Sequence, residues 1–302
     1  MDTIALATGF LAAAVRVATP LLFAATGETV TERSGVINLS TEGAMLVGAL
    51  AAAVGATMWG PWTGFAAALI AGMVTAAVFA LLAIGARANQ IITGTAITLA
   101  AVGLTGTIYR QVYGAAGAGL TIPTFAPLPV PGLARIPILG PALFDQPVPT
   151  YLVFAALPLV WWVLFRTKLG LALRASGESA AMARAVGVRV NLVRTGATVI
   201  GGGLSGLGGA TLVLAQVGTF AERMTAGRGF LAIAIVVLGR WHPAGVALAA
   251  ILFGIATALQ FLFQALGVRA PYQLFLMLPY LLTLLALAGV VGRVRAPGDL
   301  GR

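Results

Sequence analysis

Apolar residues along this chain come in long runs, and the charges cluster in short segments between them. A helix needs roughly 20 mostly apolar residues to cross about 30 Å of hydrocarbon. By that measure, spans are expected at 4–27, 35–58, 64–84, 91–113, 150–165, 195–217, 244–266 and 272–291. The apolar stretch 230–239 is too short for a full crossing and reads as a half-helix or the inner part of a tilted one. Counting it gives nine passages; leaving it out gives eight. The expected fold is an all-α polytopic membrane protein, one transmembrane domain over 1–302, with 8–9 spans including a short or broken segment.

Basic residues give the sidedness, because cytoplasmic loops carry an excess of Lys and Arg. With the N-terminus outside and nine passages, the inner segments hold Arg33, Arg87, Arg166, Lys168, Arg174, Arg184, Arg189, Arg194, Arg240, Arg293, Arg295 and Arg302. The outer segments hold Arg110, Arg135, Arg223, Arg228 and Arg269. Twelve against five supports this orientation, puts the C-terminus in the cytoplasm and argues for counting the short segment. Two connections are long. The 114–149 segment contains eight prolines and reads as an extracytoplasmic loop of extended and turn conformers. The 166–194 segment holds six of the basic residues with Glu178 as its one acid, and is expected to be the longest cytoplasmic stretch.

Composition agrees with lipid as the main solvent. Of 302 residues 60% are hydrophobic and 9% charged, with a mean hydropathy of +1.01, whereas a soluble domain carries about a quarter charged residues. An ordinary cytosolic enzyme is excluded, and the net charge of +10 fits basic cytoplasmic loops rather than nucleic-acid binding. The chain has no cysteine and one histidine, His242, so disulfides, thiolate chemistry and multi-histidine metal centres are excluded. The first residues lack a basic n-region and the apolar run passes Ala25 without a convincing cleavage site, so the start reads as a retained span, and no appended soluble domain is expected.

Several segments carry candidate chemistry. No phosphate-binding loop is present: the one lysine, Lys168, lies between Thr167 and Leu169. Gly201, Gly203 and Gly206 satisfy G-x-G-x-x-G but lie inside an apolar span, where a dinucleotide turn has no strand to follow. They read instead as packing faces, with Gly201, Ser205, Gly209 and Gly202, Gly206, Ala210 recurring every four residues; Ala44, Gly48, Ala52 and Ala56 repeat the pattern. The stretch 28–42 is the most polar in the N-terminal third. It is either a solvated turn whose Ser40 or Thr41 caps the next helix, or a broken helix lining a polar pathway, with Asn38 and Glu42 turned inward. Its charges are costly in hydrocarbon, about 2.5 to 3.5 kcal/mol each at the bilayer centre. Candidate pathway residues are Asn38, Ser40, Glu42, Asn89, Gln90 and Thr93.

Arg87, Asn89, Gln90 and Thr93 read as a helix start at the inner interface. Glu222 with Arg223 or Arg228 reads as a surface ion pair in a loop dipping into an outer vestibule. His242, between Trp241 and Pro243, reads as a turn residue at the inner interface. Within 176–187, Gly177 is expected to break the chain, Glu178 to open a short helix rich in alanine, and Arg184 and Gly187 to close it. Such a helix is either an interfacial one or a coupling helix, a small-residue knob that fits a partner's groove and transmits its movement. The candidate coupling residues are Gly177, Glu178, Ser179, Ala180, Ala181, Arg184 and Gly187.

Four segments together, GETVTERSGVINLSTEGAMLVGA at 27–49, LRASGESAAMARAVGV at 173–188, MTAGRGFLAIAIVVLGRW at 224–241 and PYQLFLMLPYLLTLLALAG at 271–289, resemble the permeases of ATP-binding-cassette importers for branched-chain amino acids, ribose and nucleosides. The likeness covers nearly the whole chain and is nearest the smaller nucleoside-type permease. It implies a non-catalytic permease in the cell membrane, without cofactors. The implied partners are ATPase subunits, an extracytoplasmic substrate-binding protein and a second permease, commonly a different chain. The 178–187 stretch is similar to the family's coupling loop, with Ser179 interrupting its Glu-Ala-Ala pattern. Nucleosides are the expected cargo, with sugars or branched-chain amino acids as the alternative. An ion-coupled secondary transporter using Glu42 or Glu28, and a channel-like subunit without alternating access, are the rivals from other classes.

Overall fold

A computed structural model describes residues 3–114, 121–265, 277, 281, 284 and 296–301. Helix α1 continues into the polar stretch that follows the first apolar run, from Thr3 to Arg33, and at 1.5 Å per residue is about 45 Å long; the chain turns only after it. Helix α2 (Thr41–Trp59) starts six residues later than the expected span. Gly60, at φ +93°, turns the chain into α3 (Pro61–Ala80), whose first residue is a proline at the position where the missing N–H costs nothing. A π-helical turn, Leu81–Gly85, extends α3, and α4 runs from Gln90 to Tyr113.

The proline-rich segment folds in part. Strand β1 (Pro127–Pro129) pairs antiparallel with β2 (Asp145–Pro147) around the short helix α5 (Leu139–Phe144). The Tyr151 hydroxyl donates to the Leu128 carbonyl and accepts from the Gln146 backbone N–H, fastening this flap to α6 (Val148–Arg166). Two short helices follow, α7 (Lys168–Glu178) and α8 (Ala180–Ala185). Helix α9 (Val190–Thr211) ends in a π-helical turn, Leu212–Val217. The expected half-helix is α10 (Arg228–Leu238), and α11 is Pro243–Ala265.

Seven helical segments among the described residues are long and apolar enough to cross a membrane: Leu6–Arg33, Thr41–Trp59, Pro61–Gly85, Gln90–Tyr113, Val148–Arg166, Val190–Val217 and Pro243–Phe263. The expected span 272–291 lies outside the described residues except for 277, 281 and 284. The all-α polytopic fold is therefore established.

Helix α9 is the most enclosed segment, and its small residues explain why. Lipid supplies no hydrophobic drive between helices, so close packing of backbones holds them together. Gly201 lies against Gly27 and Thr31 of α1, Gly202 against Gly72 and Ala76 of α3, and Gly209 against Met45 and Ala49 of α2. Gly48 of α2 meets Gly206 backbone to backbone. A Cβ at Gly48 would stand 2.6 Å from the Gly206 Cα, closer than real side chains approach. The expected packing role of these glycines holds, and three helices close on α9 at once.

Pro20 interrupts α1 and has no N–H for the Arg16 carbonyl. Gln216, in the π-helical turn at the end of α9, donates its side-chain amide to that carbonyl. A backbone group orphaned in one helix is thus satisfied by a side chain two hundred residues away.

Candidate functional site

After Arg33 the chain reverses and runs back beside α1, so that 34–40 forms irregular backbone enclosed by protein. Glu28 holds this return: its Oε1 accepts from the Asn38 backbone N–H at 3.0 Å and its Oε2 from the Thr41 hydroxyl at 2.9 Å. Asn38 in turn accepts through Oδ1 from the backbone N–H of Ser40 at 3.0 Å and from the Ser40 hydroxyl. Glu28, Asn38, Ser40 and Thr41 are all buried. The solvated-turn reading is corrected here, and so is its cap: Ser40 precedes α2 without a side-chain bond to it, its hydroxyl turned to Asn38, and the Thr41 hydroxyl turns to Glu28. Irregular backbone within a membrane-spanning body is tolerated where protein satisfies it, which Glu28 does.

Glu42, in the first turn of α2, anchors the half-helix. Its Oε1 accepts from the Thr225 hydroxyl at 2.6 Å and the Gly227 N–H at 2.9 Å, and its Oε2 from the Gly229 N–H at 2.7 Å. Gly229 lies against the Glu42 backbone so closely that no side chain fits, and Gly227 takes φ +82° to open the helix. A carboxylate at the N-terminus of α10 also complements the positive end of the helix dipole. Arg228 donates to the carbonyls of Met224 and Thr225. Glu222 pairs with Arg110 of α4 at 3.6 Å rather than with Arg223 or Arg228, which corrects that expectation.

The end of the molecule that holds Arg33 is stitched from four directions. The Arg33 Nε donates to the Trp241 carbonyl at 2.8 Å, and the Trp241 indole N–H donates to Glu32. Arg33 and Arg174 both lie over the Phe165 ring, at 5.7 and 4.9 Å from its centroid, where the ring face attracts a cation. Arg194, expected in a loop, belongs to α9 and is buried; it donates to the Ser34 carbonyl at 3.1 Å and the Ser176 carbonyl at 3.2 Å. His242 stacks on Phe165 at 5.2 Å and accepts from the Ala244 N–H, as a turn residue opening α11 would.

The coupling-helix candidates divide differently from the expectation. Gly177 lies inside α7, pressed on the Arg33 carbonyl, and Glu178 ends that helix rather than opening the next. Ser179 makes the break with an extended backbone, φ −158° and ψ 103°, and caps α8 by accepting from the Met182 N–H at 3.3 Å. Ala180 and Ala183 face inward, while Ala181, Met182, Arg184 and Gly187 are exposed. The tail also meets this joint. Asp299 accepts from the Ala180 N–H at 2.6 Å and donates its own N–H to the Gly177 carbonyl at 2.8 Å, and the Gly301 N–H donates to Gly35 at 3.0 Å.

Of the pathway candidates, Asn38, Ser40, Glu42 and Thr93 are buried, and the start of α4 packs on the 34–40 return. Gln90 accepts from the Ile37 N–H at 2.8 Å, and Thr98 donates to the Leu39 carbonyl at 3.1 Å. Asn89 is exposed and caps α4, accepting from Ile91 and Ile92 at 3.0 and 3.1 Å. Trp241, Thr225, Arg194 and Asp299 were not singled out from sequence. Two buried polar atoms in this seam have no partner, Glu32 Oε1 and Asn38 Nδ2. The seam carries acids, amides and hydroxyls without a nucleophile–base pair, and among the described residues no cluster of three or more His, Cys, Asp or Glu could hold a metal.

The family model described as "branched-chain amino acid transport system / permease component" matches residues 10–287. The putative glucose ABC transporter permease of Haloferax volcanii is 41% identical over 266 residues, covering 86% of this chain and 79% of its own. The guanosine ABC transporter permease of Bacillus subtilis is 35% identical, covering 98% and 96%. The nucleoside ABC transporter permease of Lactococcus lactis is 33% identical, covering 92% and 91%. No solved structure matches the chain. The family match over most of the chain, the seven apolar helices and the half-helix lead to one conclusion: the chain belongs to the branched-chain amino acid transport permease family, as a multi-pass, non-catalytic subunit of an ABC transporter in the cell membrane.

Proposed function

We propose that this subunit forms half of an ATP-driven uptake path for nucleosides. The observation that carries the reading is end-to-end similarity to a guanosine permease, 98% of this chain against 96% of that one. ATPase subunits sit beneath the end that holds Arg33 and Arg194, an extracytoplasmic protein delivers the cargo, and a second, different permease chain completes the path. The segment 166–194 and the C-terminus are cytoplasmic, and 114–149 is extracytoplasmic.

In this reading α8 and the end of α7 form the coupling segment, with Ala181, Met182 and Gly187 toward the ATPase and Arg184 on the side that faces the 86–90 turn. Movement there reaches the path directly, because Gly177 presses on the end of α1 and Arg194 ties α7 to the 34–40 return. The cargo passes Asn38, Ser40 and the start of α4, where amides and hydroxyls suit an uncharged, hydrogen-bonding solute. Alternating access is a rocking of packed helices between two arrangements.

The test is a reconstituted complex with its binding protein. ATP hydrolysis is expected to rise with nucleoside-loaded protein, and not with glucose or leucine. Stimulation by glucose would select the second reading, a sugar permease, which the 41% identity to the putative glucose permease favours. Transport by this chain alone, made pH-independent by Glu42→Gln, would replace the importer with a secondary transporter.

A further inference from the structure

A cavity of about 780 Å³ opens at the same end as the α7–α8 joint, between the 86–90 turn, α8 and the tail. Its walls carry three arginines from three separate segments, Arg87, Arg184 and Arg194, against one acid, Asp299. Arg194 is committed to the Ser34 and Ser176 carbonyls. Arg87 and Arg184 are exposed and have no carboxylate within ion-pair distance among the described residues. Arg87 is held at φ +57°, in the left-handed region that residues with a side chain rarely occupy. Asn89, Gln90 and Asn191 add neutral hydrogen-bonding groups to the walls.

A second hollow adjoins it. A groove of about 400 Å³ shares Ala88 with the cavity and continues between the π-helical end of α3 and the exposed face of α4. It is lined by Leu82, Ile92, Ala96, Ile97 and Ala100, with Thr93 as its one polar side chain. Ile92, Ala96 and Ala100 stand at i, i+4 and i+8 on α4, so the groove rises about 12 Å along the helix toward the bilayer centre. A basic, polar chamber at the inner interface that opens into an apolar channel parallel to a span has the two-part chemistry of a phospholipid. The chamber alone would suit any phosphate, and the channel alone any apolar chain.

We propose that this pair of hollows binds an anionic phospholipid of the inner leaflet, with its phosphate between Arg87 and Arg184 and one acyl chain along Ile92, Ala96 and Ala100. Basic pockets between spans on the cytoplasmic side are suited to such headgroups. The inference rests on that side being the inner one, not on the cargo. The lipid touches the 86–90 turn and α8 together, so it braces the coupling segment against the start of α4.

The experiment is native mass spectrometry of the full chain, released from phosphatidylcholine bilayers with and without phosphatidylglycerol. A phosphatidylglycerol adduct that survives on the wild type, with phosphatidylcholine not retained, is expected. Each arginine contributes about fivefold in affinity, so Arg87→Gln with Arg184→Gln is expected to lower retention about thirtyfold. Ala100→Phe, which fills the groove and leaves every arginine in place, is expected to lower it as well. Arg189→Gln, an exposed inner-end arginine outside both hollows, is the control and keeps the adduct. Equal retention in wild type, the double variant and Ala100→Phe overturns the proposal. Displacement by inorganic phosphate with no effect of Ala100→Phe overturns it in favour of a soluble anion. Loss of the adduct whenever ATPase or a second permease is bound overturns it in favour of that protein as the occupant.

Discussion

Glu42 and Glu32 are both carboxylates buried in the membrane-spanning body, and the fold treats them differently. Glu42 accepts three hydrogen bonds from Thr225, Gly227 and Gly229, all from a segment more than 180 residues away. Glu32 accepts one, from the Trp241 indole, and its other oxygen has no partner. A saturated carboxylate is a strut, since its removal strands every donor it holds. A half-used one strands a single donor when it is removed, and Asn38 Nδ2 likewise has no partner a few residues on. By this contrast Glu42 is the costlier of the two to remove, and the proposed path is placed beside Asn38 and Glu32.

Breaking the strut gives the largest effect. Glu42→Ala strands a hydroxyl and two backbone N–H groups at the opening of α10, each costing about 1–3 kcal/mol when buried and unpaired. The expected result is loss of monodisperse protein, or a fall of more than about 3 kcal/mol in unfolding free energy, in fluorescence-detected gel filtration and denaturant titration. Glu42→Gln keeps one acceptor oxygen and is expected to retain part of that stability. If both variants fold like the wild type, the contrast with Glu32 has no energetic basis.

Arg194→Gln comes next. It removes the guanidinium that bridges the Ser34 and Ser176 carbonyls, at a cost of about 2 kcal/mol in this enclosed position. Its sharper readout is functional: basal ATP hydrolysis of the assembled complex stays, and its stimulation by loaded binding protein falls. Retained stimulation would mean that the coupling segment reaches the 34–40 return by another route.

The sequence made the first level of this legible and hid the second. Runs of apolar residues located the spans, and small residues spaced every four picked out α9 and α2 as helices with a close-packing face, because both signals are periodic and local. The half-helix at 230–239 was legible for the same reason, by its length. The destination of each polar side chain was not. Glu28 to Glu42 reads either as a solvated turn, because charges between spans normally meet water, or as a broken helix; neither reading names the partners, which for Glu28 lie in the same stretch and for Glu42 in a later pass of the chain. Nothing near Glu42 points to Gly227 and Gly229, and nothing near Trp241 points to Glu32. The joint at 176–180 was misplaced by one reading: glycine is a helix breaker by propensity, but Gly177 is there for close approach to the Arg33 carbonyl, and Ser179 both ends one helix and caps the next.

Glu32→Gln probes the other arm of the contrast. It preserves size and an acceptor oxygen for Trp241, and converts the unpartnered oxygen into a donor. Stability is expected to stay within about 1 kcal/mol of wild type, while nucleoside uptake into proteoliposomes falls. Unchanged uptake would move the pathway away from Glu32, and a large loss of stability would make Glu32 a second strut.

The smallest effect is at the Arg16 carbonyl, where the contrast recurs with a carbonyl in place of a carboxylate. Pro20 leaves the Arg16 carbonyl without its helical donor, and Gln216 supplies one from the π-helical turn of α9. Gln216→Leu is expected to cost about 1 kcal/mol. Pro20→Ala restores an N–H to α1 at the position the Arg16 carbonyl needs, so the same Gln216→Leu change made on that background is expected to cost less. The difference between the two costs is the coupling energy of the pair, and a double-mutant cycle in denaturant measures it. A coupling near zero would mean that Gln216 is held by packing alone; a clear one would mean that the π-helical turn is kept in order to present an amide to a carbonyl that a proline has orphaned.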